Sequence, residues 1–290
     1  MKNLKYYIEN KNLIDFPGNL DLEKCLNLKS LGRLRSVSGD LNASYCTELA
    51  SLGELESVGG SLDLSYCKKL TSLEKFKSVG KNLNLLDCSS LTSLGKLKNI
   101  IGDLDLIDCS NLTSLEEIES VGKCLFLSNC SNLTSLGKLK SVGGDLYLND
   151  CSSLTSLGKL KSVGECLHFL NCSDLTSLGE LINVNKKLYL ENCSSFTFFE
   201  KLRNVGEMLF IKNCSSLTSL GELESVGKKL DIRDCSELIS LGKLKSVGGD
   251  LYLLGCSKLT SLDSLENVKG VIYSDSEELK KKYKRKFNFK

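Results

Sequence analysis

Twelve cysteines stand 21 residues apart: Cys25, Cys46, Cys67, Cys88, Cys109, Cys130, Cys151, Cys172, Cys193, Cys214, Cys235 and Cys256. Sulfur at that density could bind a soft metal, form disulfides or carry redox chemistry. Zinc, however, needs four ligands converging on a tetrahedron, whereas one residue per repeat makes a line. Neighbouring rungs are close enough for a disulfide by Cα distance, but parallel side chains do not suit the bond's geometry. Cys124 and Cys166 lie outside the register and two repeats apart, roughly 10 Å at strand spacing, which exceeds disulfide reach. The favoured reading is a structural row of small inward side chains. Unpaired buried thiols also favour a reducing, cytoplasmic compartment, with export by a route needing no signal peptide as the alternative.

The chain has a single histidine, His168, among 290 residues. One imidazole cannot build a metal site or a conventional base network, and no phosphate loop or nucleophile elbow is present. Asp63 and Asp105 lie two rungs apart, roughly 10 Å, at the outer limit for a hydrolytic pair. The expectation is a non-enzyme with no catalytic residue, metal or cofactor. A hydrolase is kept as a minor alternative.

The elements that carry these residues follow from the repeat. One unit reads Leu146-Tyr147-Leu148-Asn149-Asp150-Cys151-Ser152-Ser153-Leu154 and continues through Leu157, Leu160 and Val163 to Gly164. The pattern L-x-L-x-x-C-x-x-L-x-x-L-x-x-L-x-x-V-G resembles the leucine-rich repeat family over about residues 19–273. Its short period is similar to that of bacterial leucine-rich-repeat proteins, and Leu139 to Leu148 resembles a receptor L domain. The resemblance implies a solenoid with a curved parallel β-sheet on its concave face and extended or 3₁₀ segments on its convex face. True helices are expected only in caps. It further implies a protein-binding module, with a bacterial effector or host-directed protein as the specific form.

The expected boundaries are an amino-terminal cap over 1–18, about twelve repeats over 19–273, and a capping helix with a basic tail over 274–290. Leu4, Tyr7, Ile8, Leu13 and Phe16 would cover the first leucines. Met1 to Asn19 carries Lys2, Lys5, Glu9, Lys11 and Asp15 and reads as no secretory signal. No stretch reaches the length of a membrane span. Gly59, Gly80, Gly122, Gly143, Gly164, Gly206, Gly227 and Gly248 follow the repeat valine, which suggests positive φ or a tight approach. Asn185, at the same position, suits the left-handed region.

Alternation puts Leu146 and Leu148 inside and Tyr147 outside. Along the array the outward position runs Asp21, Asn42, Asp63, Asn84, Asp105, Phe126, Tyr147, His168, Tyr189, Phe210, Asp231, Tyr252, Tyr273. Five acid or amide rungs yield to five aromatic or imidazole rungs. Exposed apolar surface marks interaction sites, and Tyr is enriched in hot spots. Ring stacking that merely stabilises the sheet is the alternative. The candidate partner-binding residues are Phe126, Tyr147, His168, Tyr189, Phe210 and Tyr252, with Asp105, Lys212 and Arg233 as charged neighbours.

Charges elsewhere are sorted by rung, from Arg33/Arg35, Glu54/Glu56 and Lys75/Lys77 to Lys243/Lys245, with basic rungs on both sides of every acidic one. This reads as an inter-repeat ion-pair ladder, because interspersed acids spoil a nucleic-acid footprint. The net charge is only +2. The basic run Lys280–Lys290 is expected to be a solvated tail, with contact to an anionic surface as the alternative. A threonine row including Thr71, Thr92, Thr113 and Thr134 keeps a surface-templating role, such as ice or crystal binding, as a further alternative.

Overall fold

In the computed structural model residues 14–290 are described. Leu4, Tyr7, Ile8 and Leu13 lie outside the described residues, and Phe16 belongs to the strand Asp15–Phe16. The chain divides into two compact units, Met1–Gly144 and Asp145–Lys290, each a parallel β-solenoid.

In the first unit Leu20–Asp21, Leu41–Asn42, Leu62–Asp63, Leu83–Asn84, Leu104–Asp105 and Leu125–Phe126 form one parallel ladder. Every pairing joins residues 21 apart, so the sequence period is the rung period. A second ladder runs from Asp15–Phe16 through Ser36–Val37 and Ser57–Val58 to Ser78–Val79. It begins afresh at Asn99–Ile100 and continues through Ser120–Val121 to Ser141–Val142. Single bridges such as Ser30 with Ser51 mark a third side.

The second unit repeats this plan. Its Leu-x-Leu ladder contains Leu146–Tyr147, Leu167–Leu170, Lys187–Glu191, Met208–Lys212, Leu230–Arg233, Leu251–Leu254 and Ile272–Ser274. Its Ser-Val ladder runs from Ser162–Val163 to Asn267–Val268. Leu146, Leu148, Cys151, Leu154, Leu157, Leu160 and Val163 of one repeat are all 0 % exposed. No repeat could enclose these groups by itself, so each relies on its neighbours.

Of the backbone alternatives expected, the structure has extended segments on the side opposite the Leu-x-Leu sheet and close approach at the glycine after valine. The segments opposite the Leu-x-Leu sheet are two-residue strands and turns, and no described residue is in a 3₁₀ helix. Extended backbone is what the valine and serine there favour. The glycine after valine is held by close approach and not by positive φ. A Cβ on Gly227 would lie 1.9 Å from the carbonyl oxygen of Gly206, and one on Gly143 2.1 Å from that of Gly122. Asn185 likewise has no positive φ. The left-handed non-glycine residues, Glu116 apart, fall just before the repeat cysteine, including Asp87, Asp108, Asn129, Asn171 and Asn213. Asx residues bear that conformation most easily, which explains the recurring Asx-Cys pair.

The outward residue limits strand length in the first unit's Asx rungs, although Phe126 and Tyr147 also sit in two-residue strands and Asp231 in one of 4 residues. Asp21, Asn42, Asp63, Asn84 and Asp105 each accept a hydrogen bond from the backbone N–H two residues on, at 2.9–3.0 Å. That Asx turn takes the donor the ladder would need next, so these strands stop after two residues. His168, Tyr189 and Phe210 cannot do this, and their strands run for 4, 5 and 5 residues.

The carboxy-terminal helix Glu277–Tyr283 starts at Ser276, whose hydroxyl accepts from the Leu279 N–H at 3.3 Å. Leu279, Tyr283 and Phe287 are buried. The expected free tail is instead docked. Ile272 N–H donates to Asn288 O at 2.8 Å and Lys290 N–H to Ile272 O at 3.0 Å. The chain end thus occupies the open edge of the last strand.

Candidate binding face

The repeat cysteines are packing groups. All fourteen cysteines are free, and those of the repeat are buried apart from the half-buried Cys25. Cys46, Cys67, Cys88 and Cys109 direct Sγ at a carbonyl of the preceding repeat, 3.2–3.3 Å away. In these rungs the Asx turn has withdrawn the N–H that the carbonyl would otherwise receive. Where the strands lengthen the contact varies, with Cys172 2.9 Å from Leu148 O and Cys214 3.7 Å from Leu190 O. Burial pushes the Cys88 and Cys130 thiols up to about 12. No group of three or more His, Cys, Asp or Glu among the described residues could hold a metal.

The outward row of the second unit is a stack. Tyr147 and His168 have ring centroids 4.6 Å apart at 15°, and His168 and Tyr189 4.6 Å apart at 13°. This is the rung spacing of about 4.8 Å, so the strands set the ring separation. Phe210 tilts away, 6.1 Å from Tyr189 at 50°. All four rings are half-exposed. Stacking covers the faces between Tyr147, His168 and Tyr189 and leaves their edges at the surface, where the Tyr147 hydroxyl donates to Asp145 at 3.3 Å. Burial between two rings lowers the His168 pKa, against the pull of Asp145.

A hollow of about 190 Å³ opens on this row, lined by Asn149, His168, Phe169, Leu170, Tyr189, Glu191 and Phe210. Its charged rim is Glu191, paired with Lys212 at 3.2 Å. Leu170 and Leu254 are half-exposed beside the rings.

Other residues expected on this face have internal duties. Asp105 is half-buried, caps the Ile107 N–H at 3.0 Å, and is raised in pKa by burial. Arg233 bonds Asp231 through Nε at 2.6 Å and a terminal nitrogen at 2.9 Å. Lys229 reaches the same carboxylate at 2.8 Å and lies 4.2 Å above the Tyr252 ring. Burial works to raise the Asp231 carboxyl, but its bonds to Arg233 and Lys229 outweigh that and hold it below its ordinary value. Tyr252 stacks on Tyr273 at 4.4 Å and 7°. Asp231 therefore divides the second unit's rings into two groups. The signal was readable, since Lys229, Asp231 and Arg233 alternate onto one face. Phe126 is half-exposed in the first unit's ladder.

The charge rungs pair as the spacing suggested. Lys75 meets Glu54, Lys77 meets Glu56 and Lys138 meets Glu117, each at 2.7 Å, while Lys201 meets Glu180 at 2.6 Å. Thr92 and Thr176 donate their hydroxyls to the carbonyls of Thr71 and Thr155, at 3.1 Å each. Among the described residues no helix is long and apolar enough to cross a membrane.

Comparison with protein-family models, with curated proteins and with solved structures gives no match. The 21-residue periodicity and the parallel ladders make the chain a β-solenoid repeat protein.

Proposed function

We propose that this protein is a non-catalytic binding module of the leucine-rich-repeat type, and that it holds a protein partner on its Leu-x-Leu sheet. The L-x-L-x-x-C rhythm and the thiol-to-carbonyl contact between repeats support that repeat type. The observation that carries the binding role is the half-exposed stack Tyr147–His168–Tyr189 ending at the hollow beside Phe210. Ring edges and hydroxyls suit a protein surface that offers carbonyl or carboxylate acceptors around one apolar side chain. Sugars and bases prefer open ring faces, which the stack covers. The array of unpaired thiols fits work in a reducing compartment.

Affinity capture with wild-type protein and a Tyr147→Ser, Tyr189→Ser, Phe210→Ser variant tests the reading. The partner should be lost from the variant while its circular dichroism and melting stay cooperative. Equal capture by a folded variant would remove this face from consideration. Phe126→Ser, made separately, asks whether the first unit contributes.

A further inference from the structure

The Ser-Val ladder of the first unit stops at Ser78–Val79 and restarts at Asn99–Ile100. Glu56 N–H donates to Arg35 O and Gly59 N–H to Val37 O, both at 2.8 Å, and this pattern recurs at Lys77 and Gly80. The corresponding bonds from Lys98 and Ile101 are not formed. Ile101 occupies the place where Gly80 and Gly122 approach the preceding carbonyl, at 1.9 and 2.2 Å for an added Cβ. Ser38, Asn185 and Lys269 also replace that glycine and still pair, at 3.0–3.2 Å, so a β-carbon alone does not open the rung; the gap coincides with the branched Ile101.

Two further features meet at the gap. Ile101 is 69 % exposed, more than any other large apolar side chain described. It lines hollows of about 180 and 390 Å³ that also share Gly80. Around it the basic charge is uncompensated. Lys75 and Lys77 are followed by a second basic rung, Lys96 and Lys98, whose neighbouring acids Glu117 and Glu119 bond Lys138 and Lys140 instead. Lys81 and Lys123 line the smaller hollow. Asp103, the acid nearest in sequence, is turned to the Cys124 N–H at 2.9 Å. Among the described residues no ion pair is formed by Lys81, Lys96, Lys98 or Lys123.

We propose that this gap is a second docking site, for an acidic protein segment that seats one apolar side chain against Ile101 and sets carboxylates on the flanking lysines. The charge of the rim selects the partner, and the missing glycine supplies the apolar anchor. The site lies in the first unit and does not use the ring stack.

The probe is a fluorescein-labelled peptide of repeating Glu-Glu-Leu, about a dozen residues long, with a Glu-Glu-Ser peptide as its control. Anisotropy is read against the full chain at low salt, where exposed charges act most strongly. The Leu peptide should bind and weaken as salt rises. Lys96→Glu with Lys98→Glu should cost about tenfold in affinity, since like charges then face the probe. Ile101→Gly should cost about fivefold through lost apolar contact. Tyr147→Ser with Tyr189→Ser should leave this binding unchanged, which separates the site from the ring stack. Ile101→Ser, with its fold checked by circular dichroism, covers the anchor if the glycine variant is poorly produced. Equal affinity for both peptides, or unchanged binding in the lysine or Ile101 variants, would overturn the proposal. So would an RNA oligonucleotide that binds more tightly than the Leu peptide with no loss in Ile101→Gly.

Discussion

Each thiol in the first-unit rungs from Cys46 to Cys109 sits where a carbonyl of the preceding repeat has lost its strand donor to an Asx turn. A small weak donor at that point satisfies the carbonyl without adding volume. Such thiols should be inert. With Cys88 and Cys130 pushed to about 12 by burial, labelling of native protein at mildly alkaline pH should be fast only at half-buried Cys25, Cys124 and Cys166. Mass spectrometry of the labelled peptides checks this, and the other cysteines should label only with denaturant. His168 makes a second residue-level prediction. Its folded pKa is lowered, so the unfolded chain takes up the proton first, and stability falls as pH drops through the unfolded value of about 6.5. Melting curves from pH 8 to 5 should show a smaller acid loss in His168→Phe than in wild type.

At the scale of the element, two types of glycine have different reasons and should respond differently. Gly227 has ordinary φ but no room, because a Cβ would meet the Gly206 carbonyl at 1.9 Å. Gly227→Ala should destabilise by about 1–3 kcal/mol, as overpacking does, with the loss measured by denaturant unfolding. Gly95 and Gly137 have φ of 67° and 59°, and Glu116 holds the matching position at 50°. Glu116→Gly should therefore stabilise by about 1 kcal/mol through relief of the left-handed conformation, less the Glu116 contact with Ser93. The short strands from Asp21 to Asp105 were legible once Asx chemistry is applied to the outward position. Ring type did not set length in the same way, since Phe126 and Tyr147 lie in two-residue strands and Asp231, bonded to Arg233 and Lys229, lies in one of 4 residues. The position of the left-handed residues was also written in the Asx-Cys pairs. The glycine following valine drew attention away from it, because both demands select the same residue type.

At the scale of the molecule, every rung rests on its neighbours, so a solenoid must manage its last edge. Here the chain does so itself, by returning residues 288–290 alongside Ile272. Removing residues 284–290 should expose that edge and the buried Phe287 contact, and light scattering should report self-association absent from the full chain. The basic composition of this end suggested a solvated tail, and composition alone could not show that its backbone pairs with a strand.

The sequence by itself determined the repeat length, the inward leucines, the cysteine row and the ion pairs between charged rungs. Each depends only on a fixed period and on side-chain alternation, which are one-dimensional facts. The tertiary structure decided what depends on distances between rungs. It covered the ring faces between Tyr147, His168 and Tyr189 by bringing each ring 4.6 Å from the next. It committed Asp105 and Arg233 to internal bonds. It also opened the Ser-Val ladder at Ile101 while leaving it paired at Ser38, Asn185 and Lys269, which replace the same glycine, a difference set by distances between rungs that no spacing of letters records.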